Sequence, residues 1–152
     1  MAVKPKPDGY HSVTPYLVVE GAAELIAFLK AAFGAQEFHR FAAPGGGIGH
    51  AEVWIGDSAV MLGDARAEWP PMPSMLYLYV ENVDSLYQRA VDAGATSMQP
   101  PADQFYGDRS AGVKDAWGNL WWIATHIEDL PADELKRRAE EAMRNAEAGP
   151  TA

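Results

Sequence analysis

The sequence predicts an α+β protein of two βαβββ modules, which form cupped mixed sheets around a cleft, followed by a C-terminal helix. Three observations support this fold class. The segment YLVVEG at residues 16–21 returns as YLYVEN at residues 77–82, with four identical positions. Each copy is followed by apolar residues at helical spacing that end in Gly-Ala, and then by three strand-like runs. Self-similarity of this kind indicates two copies of one unit.

The first module begins with the strand YLVVEG. Four apolar residues follow at positions i, i+3, i+4 and i+7, which is one face of a helix: Leu25, Phe28, Leu29 and Ala32. Gly34 stands where a helix commonly ends in a left-handed glycine. Three strand-like runs complete the module, at residues 37–43, 47–56 and 58–62.

The second module repeats this order after YLYVEN. Its helix face consists of Val83, Leu86, Tyr87 and Ala90. Asn82 is suited to cap the start of this helix and Gly94 to end it. The strand-like runs lie at residues 96–101, 107–115 and 119–127, with DAWG as the last turn.

These patterns divide the chain into five segments. Residues 1–11 form an N-terminal arm, and residues 12–66 form the first module. The segment 67–74 has three prolines and is predicted to be a linker. The second module covers residues 75–128. Residues 129–152 form a charged helix and a frayed tail.

Composition excludes several classes of function. The chain has 152 residues, a net charge of -9 and no cysteine, so we expect no disulfide, thiolate metal site or thiol nucleophile. The acidic balance disfavours nucleic acid and anionic membranes, and it suits neutral or cationic small ligands. The N-terminus has no apolar signal segment, and no window has the ~20 apolar residues of a membrane span. We therefore expect a cytoplasmic location.

The modules carry two stretches that allow a comparison with a known group: HAEVWIGDSAVMLGDA, and QFYGDRSAGVKDAWGNLWWIATHIEDL. Over residues 12–128 the sequence resembles the vicinal oxygen chelate superfamily, and its PhnB-like branch in particular. That superfamily includes glyoxalase I, extradiol dioxygenases, fosfomycin resistance enzymes and bleomycin resistance proteins. The resemblance implies the glyoxalase/bleomycin resistance fold and a homodimer, whereas activity differs among members.

The resemblance also implies where a divalent metal would be held, by His and Glu side chains on the first and last strands of each module. In this sequence those positions are occupied by Thr14, Met61 (or Leu62), Met75 and Trp122. None has a carboxylate or an imidazole, so a divalent cation would lack an adequate set of ligands. We therefore expect no metal there and no cofactor.

Strand alternation in HAEVWIG places His50, Glu52 and Trp54 on one face, towards the cleft. His50 and Glu52 are the candidate catalytic residues, as an acid–base pair or as a displaced metal site. The alternative is a hydrogen-bonded pair that only shapes the pocket.

The candidate ligand-binding residues are Tyr16, His50, Trp54, Met75, Tyr77, Tyr106, Arg109 and Trp122. Strand alternation selects those that lie on strands, whereas the resemblance implies a role in lining the pocket for Tyr106 and Arg109, which lie in the loop QFYGDRSAG. The aromatic and methionine side chains suit an apolar or aromatic ligand, although they could equally fill a core. Arg109 could hold a ligand carboxylate or phosphate, or form a turn with Asp108.

His126 could reach the rim of the cleft, and His39 is expected to be solvated on an edge strand.

Two functions from different classes fit these features. The first is a metal-free protein that binds a small apolar or aromatic, or cationic, molecule in the cleft between the modules. The second is a metal-dependent glyoxalase-like lyase or isomerase, or a dioxygenase, with a relocated site around His50 and Glu52. A module without a ligand of its own is a third alternative.

Overall fold

The order of helices and strands confirms the two βαβββ modules. The structure is a computed structural model that describes residues 2–149; Met1 and residues 150–152 of the predicted tail lie outside the described residues. The elements are β1 (Tyr16–Val19), α1 (Ala22–Phe33), β2 (Gln36–Ala42), β3 (Ile48–Ile55), β4 (Ser58–Asp64), β5 (Met75–Tyr79), α2 (Val83–Asp92), β6 (Thr96–Asp103), β7 (Asp108–Lys114), β8 (Leu120–His126) and α3 (Ala132–Glu147).

Each module forms its own four-stranded mixed sheet. The strand orders are β1-β4-β3-β2 and β5-β8-β7-β6, so the same topology occurs twice. In each sheet the first strand pairs in parallel with the last, which places Tyr16 opposite Met61 and Tyr77 opposite Trp122. The remaining pairs are antiparallel. These two sheets and the C-terminal helix confirm the predicted fold class.

Helices α1 and α2 pack the faces that the sequence pattern predicted against the core, α1 with all four residues buried and α2 with two buried and two partly buried. The four predicted apolar residues of α1 are all buried. Gly34 ends α1 with a left-handed φ of 67°, and its N–H bonds to the carbonyl of Lys30. The Asn82 side chain accepts a hydrogen bond from the Ser85 N–H at the start of α2, 3.1 Å away. Local sequence therefore sets both helices.

The two modules meet through their helix-covered faces. Buried residues of both sheets belong to one hydrophobic core that includes α1. The ring of Phe33 packs on that of Trp121 with centroids 5.1 Å apart, and Phe28 lies 6.1 Å from Trp117. The Arg89 guanidinium donates to the Ala31 carbonyl at the end of α1. The face of each sheet opposite its helix, called here the bare face, therefore lies outside this core.

The predicted linker and the C-terminal helix lie on the outside of the modules. In the linker, the Met72 N–H bonds to the Val18 carbonyl, which holds this segment against β1. Helix α3 has no buried residue. It is attached through Arg138, which makes a bidentate pair with Glu128 at 2.9 Å. Among the described residues, no helix is both long and apolar enough to cross a membrane.

The turn DAWG is stabilised by a buried carboxylate. Asp115 is only 5% exposed and accepts four hydrogen bonds of 2.8–2.9 Å. The donors are the N–H groups of Trp117 and Asn119, the Asn119 amide and the Trp121 indole. Because Trp121 lies in the shared core, this turn connects local structure to the packing of the two modules.

Replacing this carboxylate should destabilise the whole chain. We expect Asp115→Ala to lower the free energy of unfolding by about 3 kcal/mol, because buried donors lose a charged acceptor. Urea unfolding monitored by circular dichroism measures this change. The matched control is Asp57→Ala in the exposed turn of the first module, which should cost less than about 0.5 kcal/mol. Equal losses in both variants would contradict a special role for Asp115.

Candidate functional site

The bare face of the first module collects the residues predicted around His50. Tyr16 of β1 and His50 of β3 lie side by side, with the tyrosine oxygen 3.1 Å from the imidazole Nδ1. Glu52 and Trp54 follow on the same face, while Ala51 and Val53 point into the core. Strand alternation therefore places His50, Glu52 and Trp54 on one face, as the sequence predicted, but this face lies outside the core between the modules and does not line a cleft between them.

Glu52 is the buried acid of this face. It is 2% exposed, although it belongs to a sheet face that has no helix. The Tyr10 hydroxyl donates a hydrogen bond to Glu52 Oε1, and this bond raises the pKa of Tyr10. The Tyr10 ring also packs edge-on against Trp54, with centroids 5.2 Å apart. The predicted N-terminal arm thus folds over the face and covers its carboxylate.

His39 joins this cluster, contrary to the expectation that it would be solvated. It lies opposite Glu52 in the β2–β3 pairing, and its Nε2 is 3.8 Å from Glu52 Oε2. The pairing shifts between Glu37 and His39, so Phe38 is an extra residue in the strand. Such a bulge reverses the side-chain alternation that follows it. Sequence reasoning missed His39 because the periodicity of β2 does not reveal the bulge.

A small cavity of about 360 Å³ adjoins Tyr16 on the same face. Its apolar walls include Tyr16, Val18 and two linker residues that sequence reasoning did not select, Trp69 and Met72. Gly49 and Gly63 also line it, and a Cβ at Gly63 would come within 2.9 Å of the Gly49 carbonyl oxygen. The linker is therefore part of a pocket as well as a connection between the modules.

The bare face of the second module has a buried acid of its own. Asp108 is 3% exposed and accepts a hydrogen bond from Tyr79 at 2.9 Å and a longer one from Tyr77 at 3.4 Å. Its other oxygen lies 2.8 Å from His126 Nδ1, and His126 Nε2 lies 2.8 Å from Asp129. The hydrogen bond to Asp108, and then that to Asp129, raises the pKa of His126.

The tyrosines of this face are electrostatically linked to the same carboxylate. The hydrogen bond to Asp108 is the main cause of the raised pKa of Tyr79. The pKa of Tyr77 is raised chiefly by burial, and then by its hydrogen bond with Tyr106. Both phenols therefore stay protonated donors at neutral pH. Sequence reasoning selected Tyr77 and Tyr106 but missed the central role of Asp108.

Arg109 and Trp122, which were also predicted to bind a ligand, have surroundings that differ from those of the tyrosine cluster. Arg109 makes a bidentate pair with Asp84 at 2.8 and 2.9 Å and also bonds to Asp103. It therefore joins α2 to β6 and does not approach the tyrosine cluster. Trp122 lies over Gly112, where any Cβ would be within 2.5 Å of its ring. Trp122 therefore lies on the bare face of the second module, whereas Arg109 lies on the helix side of that sheet.

Met75 and Tyr77 line a larger groove of about 1290 Å³ along β5. The first module borders this groove with residues that include Thr14 and the β3–β4 turn. Tyr16, His50 and Trp54 do not line it, since they lie on the bare face of the first module. A groove between the modules therefore exists, but within one chain it contains only part of the predicted site.

The four positions implied for a divalent metal do not fit such an ion. Met61 pairs with Tyr16 and Trp122 pairs with Tyr77, which are equivalent places in the two modules. Together with Thr14 and Met75 they offer a hydroxyl, two thioethers and an indole. These groups are poor ligands for divalent cations. A different set, formed by His39, His50 and Glu52, has ligand atoms within 4.8 Å of one another.

Comparison with known protein families shows to which family this chain belongs. The profile of the Glyoxalase/Bleomycin resistance protein/Dioxygenase superfamily matches residues 9–123. The chain belongs to this superfamily. The match covers both modules and begins at the arm that carries Tyr10, so the resemblance seen in the sequence is confirmed at the level of the superfamily.

One sequence relative and two solved structures are similar to this chain. The uncharacterized protein Mb0911c of Mycobacterium bovis is 33% identical over 147 residues, covering 90% of this chain and 94% of that protein. TioX from Micromonospora sp. ML1 is similar in structure, with a TM-score of 0.66 and 25% identity over 77% of this chain and 99% of TioX. A PhnB protein from Bacillus cereus has a TM-score of 0.61 and 16% identity, covering 76% and 99% of the respective chains, which shows the fold alone.

The His126 network should make stability depend on pH. The pKa of His126 in the folded protein is raised above the ordinary 6.5. The stabilisation that protonated His126 provides is therefore complete below pH 6.5, and it is lost as the pH rises through the folded pKa. We expect His126→Gln to lower the melting temperature more at pH 6 than at pH 9. Thermal unfolding at both pH values measures the difference. The control His11→Gln, at an exposed site, should change the melting temperature equally at the two pH values. An equal loss of melting temperature at both pH values for His126→Gln would contradict the argument.

Proposed function

We propose that this protein binds a small apolar or aromatic molecule on the bare face of its first module. The main observation in support is the cavity of about 360 Å³ between Tyr16, Trp69 and Met72. Its volume lies within the range of small-molecule pockets, and its walls are mainly apolar with two charged side chains, Asp64 and Arg66, as is usual for such pockets. A molecule in this cavity would extend towards His50 along the same sheet face.

The charge of the protein agrees with a neutral or cationic ligand. The net charge is -9, which disfavours anionic partners in general. Asp64 lines the cavity, and its pKa is lowered: burial raises it, but hydrogen bonds from the N–H groups of Ala22, Ile48 and Gly21 outweigh that effect. Asp64 therefore stays ionised at neutral pH beside the proposed ligand. Because the cationic Arg66 lines the same cavity, the two local charges offset each other, and a neutral ligand suits this cavity best.

The proposal does not use a metal at the four superfamily positions, because Thr14, Met61, Met75 and Trp122 are unsuited to one. Assignment to the PhnB-like branch is part of the proposal. The fold likeness to the Bacillus cereus PhnB protein supports it only at the level of architecture. The cytoplasmic location remains a prediction from the sequence.

The ligand proposal can be tested with N-phenyl-1-naphthylamine, a neutral aromatic probe whose fluorescence rises in apolar sites. We expect saturable binding in the presence of EDTA, and about tenfold weaker binding by Met72→Ala, because one wall of the cavity is lost. The matched control is Met98→Ala, since Met98 is 54% exposed and Met72 43% exposed. Equal affinities of the two variants, or no saturable binding by the unchanged protein, would overturn the proposal.

We also propose that two copies associate through the second module. Among the described residues, no strand pairs with the outer edge of β5, which has the sequence MLYLY. Met75, Tyr77 and Tyr79 are all exposed on this strand. An apolar edge strand with unpaired backbone groups is a template for pairing with another chain. A second copy could thereby bring first-module and second-module bare faces together.

Light scattering after size exclusion tests this association. We expect the unchanged protein to have the mass of two chains, and Met75→Lys to shift it towards one chain, because a charged edge residue opposes strand pairing. Met143→Lys on α3 is the matched control, as Met143 is 66% exposed and Met75 61%. A single-chain mass for the unchanged protein at all concentrations would contradict the proposal.

A glyoxalase-like lyase or isomerase, or a dioxygenase, with its site around His50 and Glu52 is the second candidate function. The observation that favours it is the burial of Glu52 beside His39 and His50. Turnover of the hemithioacetal of methylglyoxal and glutathione by the metal-loaded protein would support the lyase. Absence of turnover with Zn²⁺, Ni²⁺, Mn²⁺ and Fe²⁺ would exclude that reaction.

A further inference from the structure

We propose that His39, His50 and Glu52 form a binding site for a divalent transition-metal cation of the zinc class. This site differs from the four positions at which the superfamily resemblance implies a metal. It also goes beyond the ligand-binding proposal, because none of these three residues lines the cavity proposed for the small molecule. The expectation of a metal-free protein rests on those four positions, and His39 is not one of them.

The three side chains have the spacing that a metal ion requires. One ligand atom from each lies within 4.8 Å of the others, and His39 Nε2 is 3.8 Å from Glu52 Oε2. In a tetrahedral zinc site with bonds of about 2.0–2.2 Å, ligand atoms lie roughly 3.3–3.6 Å apart. Small side-chain adjustments would therefore bring them to bonding distance.

Strand pairing places these residues next to one another. His50 and Glu52 are two residues apart on β3, and His39 is directly opposite Glu52 on β2. This arrangement exists only because the bulge at Phe38 turns His39 to the bare face. Bulges are over-represented next to functional sites, where they redirect a side chain.

Neighbouring hydroxyl groups complete the arrangement. Tyr16 lies 3.1 Å from His50 Nδ1, so its oxygen can accept the Nδ1–H and leave Nε2 free as the ligand atom. Tyr10 donates to Glu52 Oε1, which leaves Oε2 on the side of His39. Such hydrogen bonds commonly orient the ligands of protein metal sites.

The burial of Glu52 gives an independent argument. A carboxylate that is 2% exposed is costly unless it is paired with a cation or well hydrogen-bonded. Tyr10 supplies one neutral hydrogen bond, and the basic group His39 remains 3.8 Å away. A divalent cation between His39, His50 and Glu52 would compensate the buried charge.

The donor set indicates the kind of metal and the state of its coordination. Two imidazoles and one carboxylate suit zinc and neighbouring first-row divalent ions better than calcium or magnesium. Three protein ligands leave at least one coordination position open. His39 and His50 are only partly buried, so this position can be reached from the bare face.

Cobalt titration of tag-free, EDTA-treated protein tests the site without any organic ligand. We expect one equivalent of Co²⁺ to bind with visible d–d absorption and to be displaced by Zn²⁺. Residues that hydrogen-bond to a metal ligand typically contribute roughly 10–100-fold to metal affinity, so Tyr16→Phe should weaken Co²⁺ binding about tenfold. His39→Gln removes a ligand itself and should weaken binding at least about 100-fold. Glu52→Gln should behave like His39→Gln if it remains folded by circular dichroism.

The control variant is His126→Gln, because His126 also lies between two carboxylates but on the second module. It should bind Co²⁺ as the unchanged protein does. Absence of Co²⁺ uptake by the unchanged protein, or uptake that His39→Gln leaves intact, would overturn the proposal and leave a His39–Glu52 ion pair. Since the fluorescent probe is measured in EDTA and the metal without the probe, the two proposals can fail separately.

Discussion

The packing of both sheets against one hydrophobic core is the constraint on which the rest of the structure depends. Each sheet has one apolar face, and burial of that face is the main favourable term in folding. Helix α1 serves both modules, since Phe33 packs on Trp121 of the second sheet. Consequently the faces opposite the helices lie outside the core, and polar or aromatic residues on them are available to a ligand or a partner.

Each bare face nevertheless contains a buried carboxylate beneath a tyrosine. Glu52 is covered by Tyr10, and Asp108 accepts from Tyr79. The nearby histidines differ in geometry. His126 makes a hydrogen bond of 2.8 Å with Asp108, whereas His39 stays 3.8 Å from Glu52. The chain itself thus satisfies the second-module network, whereas no short hydrogen bond joins the histidine to the carboxylate in the first-module cluster.

Sequence reasoning reached the fold because its signals are local or repeated. Helical spacing identified α1, and alternation oriented His50 and Glu52 on β3. Reasoning from the sequence did not reach residues whose positions depend on distant contacts. Tyr10 covers Glu52 only after the arm folds back, and Arg109 pairs with Asp84, which is 25 residues away. Such contacts leave no periodic pattern in a sequence.

The sequence by itself determined the duplicated βαβββ order and the superfamily. It also showed that Thr14, Met61, Met75 and Trp122, at the positions where the resemblance implies a metal, offer no carboxylate and no imidazole. These properties follow from residue identity and short-range periodicity. Only the tertiary structure decided that the bare faces lie outside the shared core and that His39 joins His50 and Glu52. The physical reason is that a bulge changes the phase of every side chain after it, and that core packing, which is non-local, selects how the two modules meet.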